Sequence, residues 1–220
     1  SIHPEPIMRA VAVVLLLCGI TPAMAQKKIP EHKPTVQGTF FLPTALDNKM
    51  FTVLTSPLGE GELFVQIPLW KGFGIGLGAK VMGWDLKNNA FSQLDTHGDA
   101  SRWTGALKVQ YAHYTGPITF YEAAVRAGYS RWTWDCSTCE SNTFQGGIHL
   151  AGTFGYYVHA SKNLAFGIIL GYGTDAARFT PDLLCLNDFP GYEGMTGPYR
   201  FFTVGLGFST RFEKDSEERW

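Results

Sequence analysis

The chain has 220 residues, of which 45% are hydrophobic and only 17% are charged, and its formal net charge is -1. It is too apolar for a disordered chain, and the small net charge without runs of like charge argues against nucleic-acid binding. The longest unbroken apolar run, residues 10–20, is shorter than the roughly 18 to 20 residues that a membrane-spanning helix needs. If the chain enters a membrane, we expect it to do so as strands.

The amino end has the features of a secretory signal. Arg9 precedes an apolar stretch that ends at Ile20, and Ala23, Met24 and Ala25 form an Ala-x-Ala cleavage site. We therefore expect residues 1–25 to comprise a few upstream residues and a signal peptide that is cleaved after Ala25.

Three cysteines follow this segment: Cys136, Cys139 and Cys185. An exported protein meets oxidising conditions, so we expect at least one disulfide among the three, although the sequence does not determine which two residues pair. Cys136 and Cys139 have the spacing of half a zinc site, but no second pair of ligands follows. We expect neither a metal site nor a cofactor.

Apolar and small polar residues alternate with a period of two along most of the chain. From Phe202 to Phe212 every even position except Thr210 is a large apolar residue, and the odd positions are small or polar. Such alternation indicates half-buried strands. Eight strands are predicted, at residues 36–45, 61–70, 73–81, 101–115, 118–134, 144–159, 164–175 and 202–212.

The connections between these segments alternate in length. Short turns are predicted at 70–72, 115–117 and 161–163, and long loops at about 46–60, 86–100, 135–143 and 176–198. This alternation is typical of an up-and-down antiparallel barrel, with turns at one end and loops at the other.

The composition of the two strand faces indicates which face lies inside. The polar face is rich in glycine and alanine, which weaken an exposed strand but suit a narrow lumen that also holds a few large polar side chains. We therefore expect the apolar face to point outward into lipid. The predicted fold is an all-β, eight-stranded antiparallel up-and-down transmembrane barrel, and closure would satisfy its backbone hydrogen bonds.

The chain resembles the small eight-stranded outer-membrane β-barrel proteins of Gram-negative bacteria. The resemblance lies in the signal peptide, the eight strands and the alternating series Val204, Leu206, Phe208, Thr210 and Phe212. The resemblance implies an outer-membrane location, short periplasmic turns and long extracellular loops. It also implies contact with membrane lipids and lipopolysaccharide, and recognition of Phe208 and Phe212 by the barrel-assembly machinery. Residues 26–35 would be a periplasmic arm, 36–212 the barrel and 213–220 a charged periplasmic tail.

His159 and Ser161 are the one candidate catalytic pair. They match the His-x-Ser part of a lipid A deacylase pattern, in which the serine is the nucleophile and the histidine its base. Lys162 displaces the asparagine of that pattern to Asn163. The pair also falls at a predicted periplasmic turn, whereas lipid A lies in the outer leaflet. We therefore favour a structural role for both residues.

Inward-facing charges form a second candidate site. The predicted registers bring Glu62 opposite Lys80 and His149 opposite Asp175, and Lys108, Glu122 and Arg126 also face the lumen. These charges could form an ion path, but paired charges that plug the lumen fit a narrow eight-stranded barrel better. Aromatic residues near the strand ends suggest two interfacial belts: Trp84, Trp103, Trp132 and Trp134 at the loop end, and Trp70, Tyr111 and Tyr114 at the turn end.

The sequence therefore favours a non-enzymatic outer-membrane barrel with a structural role in the envelope or a loop-mediated binding role. A lipid A-modifying enzyme that uses His159 and Ser161 is the first alternative, and a narrow channel is the second. An extracellular ligand or protein partner is compatible with the long loops.

Overall fold

The computed structural model describes residues 31–87, 97–137, 139, 141–185 and 196–212, apart from the side chains of residues 49 and 50. The expected signal peptide and charged tail lie outside the described residues. Among the residues that the structure describes, no helix is long and apolar enough to cross a membrane.

Eight antiparallel strands form one closed barrel in which each strand pairs with its neighbours in sequence. The first and last strands close it, with pairs running from Thr35–Arg211 to Leu46–Arg200. The strands are β1 (Thr35–Leu46), β2 (Thr55–Trp70), β3 (Phe73–Leu86), β4 (Gly98–Tyr114), β5 (Thr119–Cys136), β6 (Thr143–His159), β7 (Leu164–Phe179) and β8 (Gly197–Arg211). This is the predicted fold class.

The connections of the barrel gather at two ends. Residues 71–72, 115–118 and 160–163 form short connections at one end, which we call the turn end. At the other end, which we call the loop end, the strands are connected by residues 47–54, 87–97, 137–142 and 180–196. Among the described residues of the loop end there are two short helices: α1 (Lys49–Leu54) and a 3₁₀ helix (Pro181–Leu184).

The turn between β2 and β3 differs from its prediction. A three-residue turn at 70–72 was expected, but Trp70 pairs with Phe73 and only Lys71 and Gly72 lie between the strands. Both residues have positive φ, as a type I′ two-residue hairpin turn requires. A register shift between Pro68 and Trp70 compensates for the shorter turn.

The strands present their apolar face outward, as predicted. Leu206, Ile168 and Phe40 are each more than half exposed on the barrel exterior. The inward-facing residues are small at the positions where a large neighbouring side chain crosses the lumen. A Cβ on Gly78 would clash with the Phe64 ring, and a Cβ on Gly167 would lie 2.6 Å from the Tyr157 ring. Glycine on the inward face therefore makes room for large side chains.

The predicted aromatic belts are wrong in part. Trp84, Trp132 and Trp134 are almost completely buried inside the barrel rather than exposed at the loop end. They share the inward parity of the neighbouring polar residues on their own strands. Inside the lumen the Trp132 and Trp134 rings stack on each other, and the Trp84 ring packs against Phe51. Tyr114 also lies at the lumen mouth, against His159. Trp70 and Trp103 are exposed on the outside, as expected.

We predict that Leu206→Arg destabilises the folded barrel in a bilayer by about 2–4 kcal/mol, because it places a charge in the middle of the apolar exterior. The measurement is reversible guanidinium unfolding in phospholipid vesicles. Val53→Arg is the control, because Val53 is 54% exposed on α1 at the loop end, outside the strands. Equal stability of the two variants would contradict a lipid-facing exterior.

Candidate functional site

A chain of ion pairs crosses the half of the lumen that is nearer the loop end. Asp175 accepts hydrogen bonds from three groups: Arg102 Nη1 at 2.9 Å, Trp132 Nε1 at 3.0 Å and His149 Nδ1 at 2.6 Å. Arg102 also donates to Glu60 through Nη2 at 2.8 Å. We call this set, together with Lys80, the upper network.

Lys80 extends the upper network to a sixth strand, β3. Its Nζ lies 2.8 Å from Glu60 Oε1, so the Glu60 carboxylate bridges Lys80 and Arg102. The contributing residues come from β2, β3, β4, β6 and β7, with the Trp132 indole from β5. These polar contacts therefore tie opposite walls of the barrel together.

A second set of charges, the lower network, lies nearer the turn end. Lys108 Nζ is 2.6 Å from Glu122 Oε1 and also donates to Gln37. Gln37 contacts the Tyr157 hydroxyl, which brings β1 and β6 into the same network. Arg126 pairs with Glu62 and lies 4.9 Å above the Phe64 ring centroid.

The two networks are balanced in charge. Among the described residues, the lumen buries four basic side chains and four carboxylates, whose formal charges cancel: Lys80, Arg102, Lys108, Arg126, Glu60, Glu62, Glu122 and Asp175. A cavity of about 10 Å³ remains between them, which is room for about one water molecule. Packing this tight opposes a continuous aqueous path.

The structure brings together most of the predicted lumen residues: His149 contacts Asp175, whereas Lys80 and Glu62 each take another partner. The expected registers occur: Glu62 lies opposite Lys80, and His149 lies opposite Asp175. Lys80, however, makes its ion pair with Glu60, and Glu62 makes its own with Arg126. Lysine and arginine side chains are long enough to reach past the directly opposed residue, so register alone does not determine the pairs.

Sequence reasoning missed Glu60 and Arg102, which connect the upper network. Glu60 lies just before the predicted start of the second strand at residue 61, so the sequence pattern places it in a loop. Arg102 lay inside the predicted fourth strand and has the same even parity as Lys108, so its number alone could have identified it as inward-facing.

An aromatic cluster closes the lumen above the upper network. Phe51 of α1 is fully buried, and six aromatic rings surround it with centroids 4.8 to 6.2 Å away. Those rings belong to Trp84, Trp132, Trp134, Phe179, Tyr199 and Phe201. Asn48 caps α1 by accepting from the Phe51 N–H at 3.0 Å, which fixes the ring over the barrel mouth.

A disulfide lies beside this aromatic cluster. Cys139 of the β5–β6 connection is joined to Cys185 of the β7–β8 connection. Cys136, the third cysteine that was considered for pairing, is buried in the apolar cluster around Phe51. The disulfide therefore links the connection between β5 and β6 to the connection between β7 and β8 at the loop end.

The turn end holds the predicted catalytic pair in a different arrangement. Ser161 Oγ accepts from the backbone N–H of Leu164 at 3.2 Å, so it stabilises the turn. The His159 ring points into the lumen mouth, where its Nε2 lies 3.1 Å from Arg211 Nη2 and its ring stacks on Tyr114. Each side chain therefore has a structural partner of its own.

The residues before β1 extend over this mouth. The His32 ring packs against Tyr114 with centroids 5.2 Å apart, and Pro34 accepts from the Phe212 N–H at 3.0 Å. Partial burial and the nearby Arg211 guanidinium lower the pKa of His32. A cavity of about 40 Å³ lies beneath this segment.

Within the described ranges, no three His, Cys, Asp or Glu side chains come together in a way that could hold a metal ion.

Two solved structures share the fold of this chain. One is the crystal structure of Neisserial surface protein A, with a TM-score of 0.54 and 12% identity over 81% of this chain and 97% of that chain. The other is outer membrane protein OprG from Pseudomonas aeruginosa, with a TM-score of 0.51 and 16% identity over 84% of this chain and 100% of that chain. No protein-family description and no curated protein sequence matches this chain. The likeness is one of fold.

We predict that Arg102→Met destabilises the barrel by about 3–5 kcal/mol, because Glu60 and Asp175 each lose a buried partner. The measurement is guanidinium unfolding in detergent micelles, followed by tryptophan fluorescence. Arg200→Met is the matched control: Arg200 pairs with Asp47 on the surface, where loss of an ion pair changes stability by at most about 1 kcal/mol. Equal effects of the two substitutions would contradict the central role of the upper network.

Proposed function

We propose that the chain is an integral outer-membrane protein of a Gram-negative bacterium, with a closed barrel as anchor and the loop end as its functional surface. Its role is non-enzymatic: it contributes to envelope structure or binds a ligand or protein partner through its loops. The apolar exterior and the likeness in fold to OprG and Neisserial surface protein A support the location.

The observation that carries this proposal is the filling of the lumen at successive levels. The lower network, the upper network and the aromatic cluster around Phe51 follow one another from the turn end to the loop end. A barrel filled in this way has little room to transport a solute. Function then resides on the outer surface and at the loop end.

The loop end has features suited to binding. Phe51 anchors α1 in the barrel mouth, while Val53 on the same helix is 54% exposed. The Cys139–Cys185 disulfide ties two further connections together. These contacts restrain parts of the rim, which reduces the conformational entropy that is lost when a partner binds there.

The last strand supports recognition by the barrel-assembly machinery. Phe208 and Phe212 both face outward, and their side chains are 41% and 62% exposed. Exposed aromatic rings at the end of the final strand are accessible to another protein before the barrel meets lipid. We therefore keep both residues as the assembly signal of this chain.

The arrangement at the turn end gives no support to the enzymatic alternative. Ser161 caps its own turn, and Nε2 of His159 faces Arg211 and Tyr114. The turn end is also the periplasmic side in the proposed orientation, whereas lipid A lies in the outer leaflet. The remaining alternative is a narrow channel, which can be tested directly.

We predict that the purified barrel, inserted into planar lipid bilayers, produces no stable conductance steps in concentrated potassium chloride. The physical reason is that paired charges and aromatic rings occupy the lumen. A sixteen-stranded porin, whose lumen is an aqueous channel, is the positive control for insertion and recording. Reproducible ohmic steps from the folded, heat-modifiable protein would overturn the proposal in favour of a channel.

A further inference from the structure

Arg131 lies on the outer face of the barrel, several residues from the loop end of its strand. Four other outward-facing charges are each next to the last residue at the loop end of their strand: Asp85, Asp99, Asp135 and Arg178. Arg200, the fourth residue of β8, also faces outward, but it pairs with Asp47. Arg131 also faces outward, but it lies five residues before the end of β5. Its depth needs an explanation, because a charge facing hydrocarbon is unfavourable.

Three aromatic side chains surround Arg131. Trp103 lies directly opposite on β4, Tyr129 lies two residues away on the same face of β5, and the Phe144 ring centroid on β6 is 4.6 Å from the guanidinium carbon. All three aromatic residues are more than half exposed. We call Trp103, Tyr129, Arg131 and Phe144 the Arg131 patch.

The depth of Arg131 matches a membrane interface. Tyr121 marks the turn-end interface on the same strand, where its ring packs with Tyr111 and His113. Ten residues separate Tyr121 from Arg131, and at about 3.4 Å per residue and 40° tilt this spans about 26 Å. That distance is close to the height of the apolar band of an outer-membrane barrel, about 25 Å. Arg131 therefore lies at headgroup depth on the loop-end side.

The guanidinium is available to an anion at this depth. No carboxylate of the described residues lies within 4.0 Å of it, and Asp135 is four residues nearer the rim, about 13 Å along the strand. Phe144 holds one side of the guanidinium through a cation–π contact. The planar fork of arginine matches a phosphate group with two parallel hydrogen bonds.

We propose that the Arg131 patch binds a phosphate of lipid A, the phosphorylated glycolipid headgroup of the outer leaflet. This inference rests on the proposed outer-membrane location. Arg131 contacts the phosphate, and Trp103 and Tyr129 provide amphipathic rings at the boundary between the headgroup and its acyl chains. Lipid A is favoured over a phospholipid because the loop end faces the outer leaflet in the proposed orientation.

The test is native mass spectrometry of the detergent-solubilised barrel titrated with bis-phosphorylated lipid A. We expect Arg131→Gln to weaken binding about tenfold, since it removes a charge-assisted contact. Arg200→Gln, which changes a rim arginine that already pairs with Asp47, is the matched control and should bind like the unaltered protein. Unchanged binding by the Arg131→Gln variant would overturn the proposal.

Two further arms complete the experiment. Phosphatidylglycerol should compete weakly, and competition equal to that of lipid A would overturn the assignment to lipid A. If Arg131→Gln fails to fold, Arg131→Lys keeps the charge but loses the fork, so a partial loss is expected and unchanged binding contradicts the proposal. Failure of the unaltered protein to enter lipid vesicles at all would instead contradict the proposed function.

Discussion

The contact between Arg102 and Asp175 is the interaction on which the lumen depends. It joins β4 to β7 across the barrel, and each partner has further contacts: Arg102 with Glu60, and Asp175 with His149 and Trp132. A buried charge without a partner is strongly destabilising. The upper network is therefore stable only as a complete set, which makes it a specific device for fixing one arrangement of strands around the lumen.

The charge networks in the lumen also account for the different composition of the two faces of the strands. Charged side chains inside leave the outside to apolar residues, and closure of β1 on β8 satisfies the backbone of both edge strands. The aromatic cluster around Phe51 then excludes water from the loop-end mouth, which strengthens the ion pairs below it. Barrel closure, charge pairing and the aromatic cap thus support one another, and the outer surface carries the apolar side chains.

The period of two in the sequence predicted the eight strands and their orientation, because one face must meet lipid along its whole length. It did not predict which lysine or arginine pairs with which carboxylate, since long side chains reach beyond their cross-strand neighbours. Trp132 shares the inward parity of Arg126, so its position in the strand places it in the lumen. The prediction of an outer belt is wrong for Trp132 because it follows the usual location of tryptophan in membrane barrels and not this parity. Phe51 carried no periodic signal, because α1 is a single short helix held by tertiary contacts.

The central claim is that the lumen is sealed between its two mouths. Thr104 tests it, because its side chain faces inward on β4 between the two networks and is 2% exposed. Thr104→Cys, with Cys136 replaced by Ser, is treated with a charged thiol reagent under non-reducing conditions; Thr115→Cys at the exposed turn end is the control. We predict that the Thr115→Cys variant is labelled rapidly in the folded barrel and that the Thr104→Cys variant is labelled only after unfolding. Rapid labelling at 104 in the folded barrel would contradict a sealed lumen.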